Sequence, residues 1–356
     1  MLAVATRSNC KDVLTMYDCA SWAVVAQFGV ATQDLADLAW SPDGSCLAVW
    51  DSPAHSYTVA IYTPEGECLT CYQAYSEGLG VKSLAWSPSG QLLAVGSFDQ
   101  EVRVLNHVTW NPLARFAHPA NVSGPPTVVA YSEVEEDTGR RLSASQQENQ
   151  NPQQPATQQP HGKTLGRAAS GRTGLAASRT SSFSRPRPGG KPASRQSSPV
   201  KGGAAGGEEG NGDMVITKSR YVVAELPLKL QTLRAPQDKP NPKLGVGCIS
   251  WSHDGSYVLT RCDSMPSAVW VWDTSRLELA AVLTQTQAVK CAEWDPASNR
   301  LAVCTGSTKV YLWSPEGASC VHIPLPGFRA ASLRWHPAGA CLLLADKEAV
   351  CCAYLG

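Results

Sequence analysis

Five gapless copies of one strand–turn–strand phrase, a third strand at a nearly fixed distance behind each, and a period of 41–46 residues predict an all-β fold. The class is the β-propeller, with about six partial or complete four-stranded blades, because only radial repetition of small antiparallel sheets needs this pattern. The copies are LAWSPDGSCLAVW from Leu38, LAWSPSGQLLAVG from Leu84, ISWSHDGSYVLTR from Ile249, AEWDPASNRLAVC from Ala292 and LRWHPAGACLLLA from Leu333. The third residue of each is a tryptophan anchor: Trp40, Trp86, Trp251, Trp294 and Trp335. A turn follows, in which Pro pre-sets φ and Gly or Asn is expected to take the positive φ of a tight hairpin. The aliphatic run behind the turn has period-two character, which predicts a strand with one buried face.

The third strands end in Tyr62, Leu105, Trp272, Trp313 and Tyr354, which lie 22, 19, 21, 19 and 19 residues after their anchors. Fourth strands are expected at residues 67–72, 113–117, 278–283 and 318–323. The N-terminal segment reads as second, third and fourth strands at residues 2–5, 12–17 and 22–28, with no first strand. The last repeat stops after its third strand. A chain built this way lacks the material for standard ring closure, and the expectation is an N-terminally truncated propeller.

Trp86 and Trp251 are 165 residues apart, where one period would need about 43. Residues 138–212 are rich in Gln, Asn and Pro and then in Ser, Gly and Arg, a composition that cannot bury enough apolar surface to offset chain ordering. The domain reading is therefore propeller over residues 1–137, a disordered basic insertion over 138–212, and propeller again over 213–356. Once the insertion is set aside, enough chain is left for one further blade, with strands at residues 127–132 and 220–226.

Composition narrows the function. With 30 basic and 30 acidic residues the net charge is zero, so any polyanion affinity must be local. No apolar run approaches the ~20 residues of a membrane span, and the N-terminus lacks the charged and apolar regions of a secretory signal, which points to an intracellular protein. The 13 cysteines, odd in number, read as small hydrophobes and free thiols. The pair Cys68 and Cys71 has redox or zinc spacing but no second ligand pair, so the reading is two thiols on one strand. Residues 161–164, His-Gly-Lys-Thr, resemble the end of a phosphate loop, but Thr157 stands where its first Gly is required. No catalytic, cofactor-binding or metal-binding residues emerge. Asp43, Asp254 and Asp295 fall at turns, where their side chains cap backbone, and His253 and His336 share those turns.

Between residues 139 and 207 eleven Lys or Arg face one acidic residue, Glu148. Arg167, Arg172, Arg179, Arg185, Arg187, Lys191, Arg195 and Lys201 form the core of this basic arm, suited to polyanions such as acidic tubulin tails or RNA. Ser198, followed by Pro-Val-Lys201, has the form of a proline-directed phosphorylation site, where a phosphate would subtract up to about two charges from the arm.

The phrase WSPDG at Trp40–Gly44 and the pair Trp272-Asp273 closing a third strand resemble the WD-repeat family. The hallmark is degenerate, since the other third strands close on Tyr62-Thr63, Leu105-Asn106 and Trp313-Ser314. No Gly-His dipeptide opens a repeat, so the polar His-based support of that family is expected to be missing from most blades. The longer phrases at Leu47–Ser52, Val81–Trp110, Pro227–Gly247, Ala268–Asp273 and Leu301–Gly317 resemble the centrosomal and spindle-pole WD repeat-containing protein eight family. This chain lacks the family's further N-terminal repeats, and its insertion is longer. The resemblance implies a non-enzymatic scaffold, without cofactor, in the cytoplasm and cytoskeleton at the centrosome or spindle pole. It would anchor microtubule minus ends and support spindle and cilium assembly. Its partner would be a coiled-coil centriolar-satellite protein of the synovial sarcoma X breakpoint-interacting type, with microtubules or a minus-end kinesin as further associates. Membrane and nucleic acid are not among the implied partners. Two other readings stay open: a cullin-type ubiquitin-ligase substrate receptor, because Trp272–Arg276 is one residue longer than an adaptor signature, and an RNA- or chromatin-associated propeller using the basic arm.

Overall fold

In the computed structural model, residues 1–136, 218–235 and 241–354 are described, and among them every regular element is a β-strand. Blade one holds β1 (Leu2–Ser8), β2 (Lys11–Tyr17) and β3 (Val24–Gly29). Blade two holds β4 (Leu35–Trp40), β5 (Leu47–Asp51), β6 (Val59–Tyr62) and β7 (Cys68–Tyr72). Blade three holds β8 (Val81–Trp86), β9 (Leu92–Ser97), β10 (Glu101–Asn106) and β11 (Pro112–Ala117). The connection to the next blade contains β12 (Asn121–Val122), β13 (Val129–Glu136), β14 (Lys218–Ala224) and β15 (Leu228–Lys229). Blade four follows as β16 (Val246–Trp251), β17 (Tyr257–Cys262), β18 (Ala268–Asp273) and β19 (Glu278–Thr284). Blade five is β20 (Cys291–Trp294), β21 (Leu301–Cys304), β22 (Lys309–Ser314) and β23 (Gly317–His322), and blade six is β24 (Ser332–Trp335), β25 (Cys341–Ala345) and β26 (Val350–Tyr354). Within each blade successive strands pair antiparallel, and in blades two, three and five the anchor strand lies at one edge and the fourth strand at the other.

The expected further blade does not form. Strands β13 and β14 make a hairpin whose first strand pairs in parallel with β19, Val129 against Ala281 through Ser132 against Thr284, giving blade four six strands. A hairpin of two strands cannot bury its own apolar face, and the free edge of β19 offers backbone partners and a sheet to join. The hairpin runs in register to Glu136 opposite Lys218, so the described chain on either side of residues 137–217 comes together at one point.

The second strands of blades two to five bury both faces, which corrects the one-face expectation there, while β1 and β25 keep exposed residues. Residues Leu47–Asp51 are all buried. Leu47 and Val49 pack on Leu14 and Met16 of blade one, while Ala48 packs in a cluster with Leu93 and Val95 of blade three. Alternate residues of a strand point to opposite sides, and blades two to five are each flanked by two others, so both sides of their second strands are dry. Three further seams, between blades three and four, four and five, and five and six, are built the same way.

The anchors do more than pack. The indole N–H of Trp86 donates to the Ala39 carbonyl (3.1 Å), Trp251 to Ala85 (3.1 Å), Trp294 to Ser250 (3.1 Å) and Trp335 to Glu293 (3.0 Å). Each acceptor is the residue just before the preceding blade's anchor, so four indoles lock neighbouring blades in one register. A neutral hydrogen bond of this kind contributes about 1 kcal/mol. The turns behind Trp40, Trp86, Trp251 and Trp335 use Gly44, Gly90, Gly255 and Gly339 at φ between 69° and 76°. The turn behind Trp294 has Ser298 and Asn299 instead, and neither takes a positive φ. There Asp295, fully buried, accepts from the Ala297 N–H, the Ser298 hydroxyl and the Arg300 guanidinium and holds the turn by side-chain bonds.

Candidate interaction surface

Blade four carries polar chemistry that the aligned positions elsewhere lack. Nine residues after its anchor stands Thr260, where the other blades have Val49, Val95, Val303 and Leu344. The Trp272 indole N–H donates to the Thr260 hydroxyl oxygen at 2.8 Å, and that hydroxyl lies 2.7 Å from His118 Nε2. On its far side His118 Nδ1 is 2.9 Å from the Gln100 carbonyl. A carbonyl only accepts, so Nδ1 carries the proton and Nε2 accepts from the Thr260 O–H. The relay therefore has one proton arrangement, and it requires a neutral imidazole. Burial pushes the His118 pKa down to about 4, which keeps it neutral. Phe116 stacks on Trp272 at 4.5 Å between ring centres, and His118 stands edge-on to Trp270 at 5.0 Å.

His118 comes from the end of β11 and Thr260 from β17, so blade three reaches into the seam of blade four. The polar support expected to be missing from most blades is present in this one, supplied by Ala117-His118 in place of a Gly-His. A signal existed in the sequence: Thr260 is the sole hydroxyl in an otherwise aliphatic column, in the one repeat that ends in Trp-Asp.

Above this relay lies a cleft of about 810 Å³, lined by Gln100, His118, Leu233, Arg234, Leu244 and Ser264 among others. Gln100 holds its floor in a left-handed backbone conformation, φ 66°, a strained state for a residue with a side chain. Three bonds stabilise it: its carbonyl takes the His118 backbone N–H (3.1 Å) as well as the ring N–H, and its side-chain oxygen takes the Ser264 hydroxyl (3.0 Å). One wall is the connection that follows β15. The Leu233 N–H donates to the Ser264 carbonyl at 2.7 Å, leaving the Leu233 side chain half exposed toward solvent.

Lys82 clamps the same connection. Its ammonium donates to the Leu244 carbonyl (2.5 Å) and pairs with Asp263 (2.7 Å) over the Phe98 ring (4.5 Å). Gly245, at φ 81°, passes so close to Phe98 that a Cβ would sit 2.5 Å from its Cα, so only glycine lets the connection enter β16 here.

The hairpin forms a second built feature. Lys309 on β22 is buried and donates to Glu133 (2.9 Å), Glu135 (2.9 Å) and the Ser219 hydroxyl (2.5 Å), which ties β13 and β14 to blade five. Glu133 also accepts the Thr286 N–H (2.8 Å). Burial alone would raise the Glu133 carboxyl, but the Thr286 and Lys309 bonds hold it below the usual range.

The turn aspartates act as caps. Asp43 accepts from Ser41 (2.6 Å) and Ser45 (3.1 Å to its N–H), and the Ser41 bond is the main reason its pKa falls to about 2. Asp273 accepts the Ser275 and Arg276 N–H groups, a turn role. Trp313 is buried edge-on to Trp294 in the seam between blades four and five. Ser198, the basic arm from Arg167 to Lys201, and the residues around His161 lie outside the described residues. Among the described residues no group of three or more His, Cys, Asp or Glu is placed to hold a metal, and no helix is long and apolar enough to cross a membrane.

Comparison with known proteins agrees with this geometry. The family described as WD domain, G-beta repeat, matches residues 66–106. That unit starts before β7, the outer strand of blade two, and ends with β10 of blade three, so one sequence repeat spans two blades and covalently links them. The mouse protein named WD repeat-containing protein WRAP73 is 36% identical over 357 aligned residues, 99% of this chain. The chain spans 64% of that relative's length.

Proposed function

We propose that the chain, which carries a WD-type repeat match over residues 66–106 and repeats that unit along its blades, is a non-enzymatic interaction scaffold at the centrosome and spindle pole. In this reading it joins a coiled-coil centriolar-satellite partner of the synovial sarcoma X breakpoint-interacting type and helps anchor microtubule minus ends during spindle and cilium assembly. The likeness to the mouse WD repeat-containing protein across nearly the whole chain supports the scaffold part of this reading.

One observation carries the reading. In the phrase Pro227–Gly247, which resembles the spindle-pole family, residues 232–235 line one wall of the cleft beside the rigid relay of blades three and four, and Lys82 clamps Leu244. A scaffold needs a preformed surface with an apolar anchor and a charged rim, and exposed Leu233 beside Arg234 has that composition. Among the described residues that line this cleft, the one histidine, His118, is spent on the relay, and the Ser264 hydroxyl is spent on Gln100.

The test is capture of the satellite coiled-coil protein by the tagged chain, with Leu233→Glu and Arg234→Glu as the paired change. Capture should fall at least about tenfold, or ~1.4 kcal/mol, with the thermal midpoint unchanged. Undiminished capture would remove the cleft as the docking surface. A diffuse signal of the tagged protein throughout mitosis would remove the spindle-pole assignment.

A further inference from the structure

On sequence spacing alone Cys68 and Cys71 are two thiols on one strand, and in a regular strand residues three apart point to opposite faces. The structure places them together. In the pairing of β6 with β7, Tyr62 stands opposite Cys68, Ile61 opposite Thr70 and Ala60 opposite Cys71, so Leu69 is an extra residue in a β-bulge. The bulge brings both cysteines to the same face, as their partners Tyr62 and Ala60 are. The two Sγ atoms lie 3.9 Å apart and both residues are exposed.

Bulge geometry also sets the backbone span. Three strand steps would separate the Cα atoms by about 10 Å, but this pair spans only two steps of its partner strand, about 6.6–6.8 Å. Disulfides bridge Cα separations of roughly 4.4–6.8 Å, so the bulged strand is within reach and a regular one is not. The site lies on the outer edge of blade two, next to the Tyr62 hydroxyl that accepts the Ala31 N–H from the chain leaving blade one (2.8 Å).

We propose that Cys68 and Cys71 are a redox-modification site that closes reversibly to an intrastrand disulfide at the expense of a small-molecule disulfide such as glutathione disulfide. The thiolate of one cysteine attacks a sulfur of glutathione disulfide, its S–S bond breaks, and one glutathione leaves and takes up a proton. The second cysteine, as thiolate, attacks the protein-bound sulfur of this mixed disulfide and expels the second glutathione. The protein loses two electrons and two protons, and one glutathione disulfide becomes two glutathiones. Excess glutathione runs both steps backward.

The internal controls are Cys10 and Cys19, also exposed, which flank the two ends of β2 and are therefore about seven strand steps, roughly 24 Å, apart. They have no second thiol to expel a bound glutathione. The full chain is equilibrated in glutathione buffers of rising disulfide content, its remaining thiols are blocked, and the peptides are weighed. The expected product is a Cys68–Cys71 peptide two hydrogens lighter and free of glutathione, while Cys10 and Cys19 stay reduced or carry one glutathione each. Cys71→Ser should trap glutathione on Cys68, and Cys68→Ser should trap it on Cys71. Glutathione retained on either residue of the unaltered chain, or both thiols still reduced when Cys10 and Cys19 are glutathionylated, would overturn the proposal.

Discussion

Blade four has two flanks that solve one problem in opposite ways. Toward blade three it buries a neutral chain, Trp272 to Thr260 to His118 to the Gln100 carbonyl. Toward blade five it is joined through the hairpin by a charged cluster, Lys309 with Glu133, Glu135 and Ser219. The neutral chain avoids the cost of desolvating charge but holds only while His118 is unprotonated. The charged cluster carries that cost and offsets it with three bonds to one ammonium. The lesson is that between blades two and three, where Val95 and Leu105 occupy the Thr260 and Trp272 positions, the matching contact is apolar beside the Trp86 indole latch, and buried polar side-chain clusters enter where distant segments must find one register. Such groups specify a partner more than they add stability.

The comparison breaks most visibly at the charged flank. Lys309→Ala leaves Glu133 buried without its cation and should cost about 3–5 kcal/mol in urea-unfolding measurements. A loss below about 1 kcal/mol would mean that water replaces the ammonium and that the hairpin is loosely held. On the neutral flank Thr260→Val preserves shape but strands both the Trp272 N–H and His118 Nε2, and a loss of about 2–3 kcal/mol is expected by the same assay. The reverse change Val95→Thr in the apolar seam adds an unpaired hydroxyl and should cost about 1–3 kcal/mol instead of improving that seam.

Acid separates the flanks next. The folded pKa of His118, about 4, lies below the ordinary 6.5, so the unfolded chain takes up the proton first. Its contribution is complete above pH 6.5 and is lost as pH falls toward 4, about 2 kcal/mol by pH 5. For Glu133 the folded pKa is lowered below 4.5, so its contribution is intact above 4.5 and lost beneath it. Lys309 is raised above 10.5, because its Glu135 and Glu133 bonds outweigh burial, so its contribution is complete below 10.5 and lost only above. Urea midpoints taken at pH 7 and pH 5 should therefore fall for the unaltered chain and stay nearly level for His118→Leu. A slope that survives in that variant would assign the acid sensitivity elsewhere. The smallest effect is expected at a single indole latch, where Trp294→Phe keeps most of the ring but loses the bond to Ser250, for about 1 kcal/mol.

Much of this was legible in order along the chain. The anchors Trp40 to Trp335, the third-strand spacing and the turn caps Asp43 and Asp254 are local, governed by residues a few positions apart, and local physics repeats with the period. The strands of the hairpin have the composition of a blade, and nothing in residues 129–136 names β19 as a parallel neighbour. The relay was half visible: Thr260 breaks an aliphatic column, but its partner His118 is 142 positions away. Cys68 and Cys71 were visible as a spacing, and a single bulged residue, Leu69, decided their relation.

The amino-acid sequence by itself determined a β repeat, its period, the anchors that recur and the interruption near residue 137, because periodicity and composition are properties of the chain alone. Only the tertiary structure decided which neighbour each blade face meets, which edge the hairpin joins, and which buried histidine, lysine or cysteine pair finds a partner. Those choices depend on desolvation and on how strands meet in space, across 142 residues for His118 and Thr260 and through one bulged residue for Cys68 and Cys71, and a repeat pattern encodes neither.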